Sequence, residues 1–118
     1  HFEARRQRQM CIRDRTKGSA NTGGSDIYDA TAAVGAKTVV VAENLNNNDR
    51  EFFEFGIIDN GTDIFHTEYG NVRTGQQLIV PTFERTSGNL ARINFEVGTD
   101  LTNGHQIEIT IVSTVTKK

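Results

Sequence analysis

Apolar and polar residues alternate with a period of two through most of the chain after Ser25, the pattern of strands with one buried face. In QIEITIVSTV (106–115), Ile107, Ile109 and Ile111 fall on one face and Gln106, Glu108 and Thr110 on the other. NLARINFEV (89–97) sets Ala91, Ile93, Phe95 and Val97 against Arg92, Asn94 and Glu96. REFFEFGII (50–58) groups Phe53, Phe55 and Ile57, with Glu54 opposite. TVVVAE (38–43) and TDIFHTEY (62–69) alternate less cleanly; in the latter the size of the aromatic rings assigns Phe65 and Tyr69 inward. LIVPTFER (78–85) contains Pro81, which cannot donate to a ladder, so this strand is an edge or is broken by a bulge. SDIYDATA (25–32) supplies a first strand.

Turn residues separate these runs. Asn60 and Gly61 both tolerate positive φ and predict a type I′ hairpin turn. Thr74 with Gly75, Ser87 with Gly88 and Asn103 with Gly104 mark later connections, and 44–49 (NLNNND) is an Asn-rich loop. No segment carries apolar residues at helical spacing. About seven strands in this rhythm predict a single all-β domain over 26–118, an antiparallel β-sandwich. The polar, small-residue stretch 16–25 (TKGSANTGGS) reads as a flexible lead-in.

The first residues break with this picture. HFEARRQRQMCIRDR packs five arginines and the only Cys and Met into 1–15. Taking these five arginines and two acidic residues from the totals of 13 and 15 leaves 8 basic and 13 acidic residues, a formal charge of −5. A basic arm on an acidic chain would ordinarily suggest a polyanion partner. The residue order has another source: RRQRQMCIRDR resembles the transposase adapter of sequencing libraries read in one frame. On that reading 1–15 is an artefact, expected to be disordered and without core contacts, and neither its arginines nor Cys11 bears on function.

About 100 residues then remain, enough for one core that buries roughly 60–70% of its unfolded surface. The absence of Cys beyond Cys11 excludes a disulfide scaffold and a thiolate metal site there. No apolar run approaches the length of a membrane-spanning helix, and no basic stripe invites phosphate backbones, so neither membrane nor nucleic acid is expected as a partner.

Candidate chemistry is sparse. His66 and Glu68 share one strand face and could ligate a metal or move a proton, but a third ligand is wanting, since the other His of this region, His105, sits in a loop; surface alternation is the better explanation of the pair. The run Asp59, Asn60, Gly61, Thr62, Asp63 has a misplaced glycine for a calcium loop and reads as a turn. Ser25, Ser87 and Ser113 lack a strand–turn–helix elbow, so no nucleophile stands out and no cofactor is implied. The loops 44–49 and 70–76 are the candidate partner-contact segments, through Asn46, Asn47, Asn48, Asp49, Arg73 and Gln76.

The order of features in 26–115 carries a resemblance. DIYDATAAVGAKTVVV is followed by EFFEFGIIDNGTDIFHTEYGNVRTGQQL and by GNLARINFEVG with QIEITIVSTV. An apolar strand (57–61) ending in an Asn-Gly turn, a short strand (62–66), Thr67-Glu68-Tyr69 and a small-residue loop (70–76) stand in sequence. This resembles the β-sandwich modules of virion structural proteins of marine tailed bacteriophages. The resemblance implies a non-enzymatic spacer or attachment module of a tail, baseplate, neck or fibre protein, located in the virion. Its partners would be other virion proteins or further copies of itself, with the edge beside Pro81 as a pairing site. The alternative is an adhesin-type module that binds a host-surface glycan or receptor through outward aromatics such as Phe52 and Phe83.

Overall fold

Period-two alternation becomes eight antiparallel strands in the computed structural model, which describes residues 5–16, 23–98 and 104–118, with side chains from Gly24 onward. In chain order they are β1 (Arg5–Thr16), β2 (Gly23–Asp29), β3 (Ala33–Asn44), β4 (Arg50–Asp59), β5 (Ile64–Arg73), β6 (Ile79–Arg85), β7 (Leu90–Val97) and β8 (Gln106–Lys117). One sheet runs β1-β8-β3-β4-β5 and the other β2-β7-β6. From Gly23 onward, seven strands form the expected sandwich of four plus three, and β1 adds itself to the outer edge of the four.

The faces follow the alternation. Phe53, Phe55 and Ile57 of β4, Ile107, Ile109 and Ile111 of β8, and Ala91, Ile93 and Phe95 of β7 are buried together with Val40, Ala42, Leu78 and Ile79. Each such large side chain contributes about 1.5–3 kcal/mol by leaving water. Pro81 lies in β6, an edge strand that pairs only with β7, and the ladder runs unbroken past it from Ile79–Val97 to Arg85–Ala91. The edge position leaves the missing N–H on the side where no strand asks for it.

Among the described residues the buried side-chain polar atoms are paired, with Arg85 Nε the exception. Thr38 and Ser113, directly opposite on β3 and β8, share a hydrogen bond of 2.9 Å within the core. Two further groups join the sheets. The Tyr28 hydroxyl of β2 donates to Asp59 Oδ1 of β4 at 2.8 Å, and Arg85 of β6 approaches Asp59 Oδ2 at 3.2 Å. Burial first, and then the bond to Asp59, push the Tyr28 phenol well above its ordinary pKa, so it remains a donor. Near the other end of β4 the wholly buried Glu51 accepts from the backbone N–H of Leu78 (2.9 Å) and from Asn71 Nδ2 (3.1 Å).

Three expectations are corrected. The connection 60–63 is a four-residue loop and not a two-residue type I′ turn: Gly61 takes φ of 95° but Asn60 does not take a positive φ. The Asn60 side chain instead accepts from the N–H of Thr62 and Asp63, both at 2.9 Å, and the Asp59 carboxylate from that of Gly61. Second, the segment expected to be disordered and without core contacts runs as β1 beside β8, in register from Arg5–Thr116 to Ile12–Ile109 and, past a register shift, to Thr16–Gln106. An edge of unpaired N–H and C=O groups can be satisfied by any extended segment, whatever its side chains. Of the expected flexible lead-in 16–25, Thr16 ends β1 and 23–25 open β2, paired with β7, while residues 17–22 lie outside the described residues, as do 1–4 and Asn103 of the expected turn beside Gly104.

The third concerns β5. Phe65 and Tyr69 point outward, 53% and 67% exposed, against the inward assignment from ring size. Pairing decides the matter: Ile58 faces out because Ile57 faces in, and Ile58 opposes Phe65 while Ile57 opposes His66. Opposed residues of a ladder share a face, so Ile64, His66 and Glu68 take the side toward the other sheet.

Candidate functional site

The two segments singled out in the sequence meet at one end of the sandwich, with one correction: 70–73 of the expected 70–76 loop continue β5, which places Arg73 on the strand and leaves 74–76 in the connection. The Thr74 hydroxyl accepts from Arg50 N–H at 2.8 Å, Thr74 N–H donates to the Arg50 carbonyl at 3.0 Å, and Asp49 lies against Gly75, where a Cβ would come within 2.5 Å of its carboxylate. Arg73 approaches Glu51 at 3.6 Å. Within 44–49 the Asn side chains hold the loop itself. Asn44 Oδ1 accepts from Asn46 N–H, Asn46 Oδ1 from Gln106 N–H, and Asn47 Oδ1 from Asp49 N–H. Asn48 takes the left-handed conformation, with φ of 64°. The buried Asn44 amide donates to His105 Nδ1 at 3.0 Å, which ties this loop to the start of β8 and sets the neutral ring's proton on Nε2. Asn46, Asn47, Asn48, Asp49, Arg73 and Gln76 therefore share one end of the molecule, where the Asn46 and Asn47 side chains hold their own loop and Arg73 faces Glu51.

The sequence-level candidates for chemistry are placed as follows. His66 packs its ring against Phe83 (centroids 4.5 Å apart) and lies edge-on to Phe55. The Asp59 carboxylate is occupied by Tyr28, Arg85 and Gly61 N–H. Ser113 is bonded to Thr38. Asp29, at the surface, is held below the usual carboxylate range by the Thr31 hydroxyl and backbone N–H, a turn-fixing contact. Among the described residues no three His, Cys, Asp or Glu side chains gather as a metal site would require.

A second surface was not foreseen. On the outer face of the five-stranded sheet, an open groove of about 680 Å³ runs beside Val34, Lys37, Gly56, Ile58, Phe65 and Tyr69. Gly56 makes it possible: a Cβ there would lie 2.8 Å from the Tyr69 ring, which rests over the bare backbone. Phe52 and Val72, opposed on β4 and β5, continue the exposed apolar surface along the same face. Of the outward aromatics expected from the sequence, Phe52 is outward at 38% exposure, whereas Phe83 packs inward on Phe55 at 5.0 Å. The parity of Ile58 was the signal in the sequence: it follows three inward residues and so marks the outer face at the very position that Phe65 opposes.

No protein-family model and no curated protein matches the chain. Among solved structures it is similar to the crystal structure of the tailspike protein of Acinetobacter phage vB_ApiP_P1, with a TM-score of 0.60 at 15% identity. The likeness covers 93% of this chain and 22% of that one, so the shared fold corresponds to about a fifth of the tailspike.

Proposed function

We propose that the chain is a non-enzymatic structural module of a tailed-phage virion, a spacer or attachment domain within a larger tail, baseplate, neck or fibre protein. The observation that carries this reading is the fold shared with part of a phage tailspike over nearly the whole chain. The order of strands and turns over 26–115, which resembles virion modules of marine tailed phages, supports it independently. So does the use of the buried polar groups: Glu51, Tyr28, Asp59 and Arg85 join strands and sheets to one another. Its partners are other virion proteins or further copies of itself, and its location is the assembled particle.

The same proposal treats 1–15 as adapter-derived. Ladder pairing with β8 uses backbone groups that any extended segment supplies, so the pairing itself does not argue against such an origin. The test is the coding DNA on both sides of Thr16, read from a library prepared without this adapter. The expected outcome is a different in-frame sequence before Thr16 and neighbouring genes for tail or capsid parts. Authentic codons for 1–15 would remove the artefact reading, and metabolic genes on both sides would remove the virion reading.

The groove favours a second reading, an attachment module for a host-surface glycan. Exposed aromatic rings beside Lys37 and Thr67 offer a sugar both a stacking face and hydrogen-bonding groups. A glycan array probed with the wild type and with Tyr69→Ala separates the two readings: binding that depends on Tyr69 supports attachment, and no binding leaves the spacer role.

A further inference from the structure

The edge of β5 is a surface of a different kind from the groove. It ends the five-stranded sheet, and among the described residues no strand lies on its outer side. Strand edges that face solvent are usually blunted by Pro or Lys. The edge strand β6 has Pro81, while β5 (IFHTEYGNVR) has neither, and its two charges, Glu68 and Arg73, cancel. It also carries Phe65, Tyr69 and Val72 on its outer face, all more than half exposed.

We infer that β5 pairs antiparallel with β5 of a second copy, about a two-fold axis through Thr67. The strand is its own complement in that register. Phe65 opposes Tyr69 of the second copy, His66 opposes Glu68, and Thr67 opposes Thr67: an aromatic pair, a donor–carboxylate pair and a hydroxyl pair, all of which favour strand association. Moving the register by two residues in one direction sets Glu68 against Glu68, and in the other sets His66 against His66 and so loses the donor–carboxylate pair, so the side chains select one alignment. The parity also holds, since Phe65, Thr67 and Tyr69 all belong to the outer face and His66 and Glu68 to the inner. The two outer faces then join across the axis into one continuous sheet. The bulge at Tyr69, between the pairs Glu54–Gly70 and Phe55–Glu68, limits the regular ladder to 65–69. So short a ladder buries less than the roughly 1,000 Å² of a stable interface, and the dimer is weak and concentration-dependent. This inference stands apart from the virion reading and does not need it.

Sedimentation equilibrium of the full chain carrying Cys11→Ser tests it. A dimer with a dissociation constant on the order of 100 µM is expected. Glu68→Lys, which sets Lys against His66 at two symmetric places, should weaken it by about tenfold. Exchanging the pair, His66→Glu with Glu68→His, should restore it. Thr67→Cys in the same background should yield a disulfide-linked dimer under mild oxidation, whereas Asn71→Cys, off the axis, should not. A monomer at about 1 mM, a dimer indifferent to Glu68→Lys, or cross-linking at position 71 in place of 67 would each overturn the proposal.

Discussion

Strands β8 and β5 look alike in the sequence and differ in almost everything the fold does with them. Both are long, 12 and 10 residues, and both carry large apolar side chains, although β5 alternates less cleanly than β8. In β8, which lies between β1 and β3, the inward residues from Ile107 to Val115 are all buried. In β5, at the rim of the same sheet, no residue is fully buried, and the largest side chains face solvent. Alternation fixes which residues share a face; the place of the strand in the sheet fixes whether that face is covered.

Truncating each strand at its largest residues is the strongest way to break this contrast. Ile109 is wholly buried, so Ile109→Ala removes transfer free energy and leaves a cavity. The expected loss is about 2–5 kcal/mol, read from the midpoint shift in urea denaturation. A loss below about 1 kcal/mol would mean that the interior relaxes around β8 and that the two strands differ less than their exposure suggests.

Glu51 sharpens the comparison, because it ties β5 and the start of β6 to the better-buried β4. Its carboxylate serves Leu78 N–H and the Asn71 amide, with Arg73 nearby. Glu51→Ala strands a buried N–H and opens space beneath it, for an expected loss of about 3 kcal/mol. Glu51→Gln keeps an acceptor oxygen and should cost about half as much. Hydrogen exchange adds a local readout: in Glu51→Ala the amides of Leu78 and Ile79 should lose protection before those of β8 do. Equal loss in both strands would show that Glu51 supports the whole sandwich and not the rim alone.

What could be read from the residues follows the same division. The faces of β4, β7 and β8 were legible because each bears three or more large apolar residues at strict alternation, and a one-residue slip would expose them all. The edge position of β6 was legible from Pro81. The facing of β5 was not, because ring size was weighed over ladder parity: size predicts what gains most from burial, but a rim strand has little on offer to bury it. Glu51 stands in phase with Phe53, Phe55 and Ile57, which places a carboxylate in the core; alternation could have exposed it, whereas its partner Leu78 N–H is visible only in three dimensions. The groove needed the same information, since it joins Val34 of β3 to Phe65 and Tyr69 of β5 across the bare Gly56.

The smallest expected effect is the most direct test of that correction. Had Phe65 faced the core, as its size suggests, truncating it would cost about 3–5 kcal/mol. At 53% exposure, opposite the equally exposed Ile58, it loses little on replacement by a β-branched polar residue that suits a strand. Phe65→Thr should leave the urea midpoint within the equivalent of about 0.5 kcal/mol of the wild type. The two magnitudes differ by far more than the error of such a measurement, so one denaturation curve decides the facing of β5. If Phe65→Thr instead destabilises the chain at high protein concentration but not at low, the lost free energy belongs to contacts between copies, and the rim strand is covered after all, by another molecule.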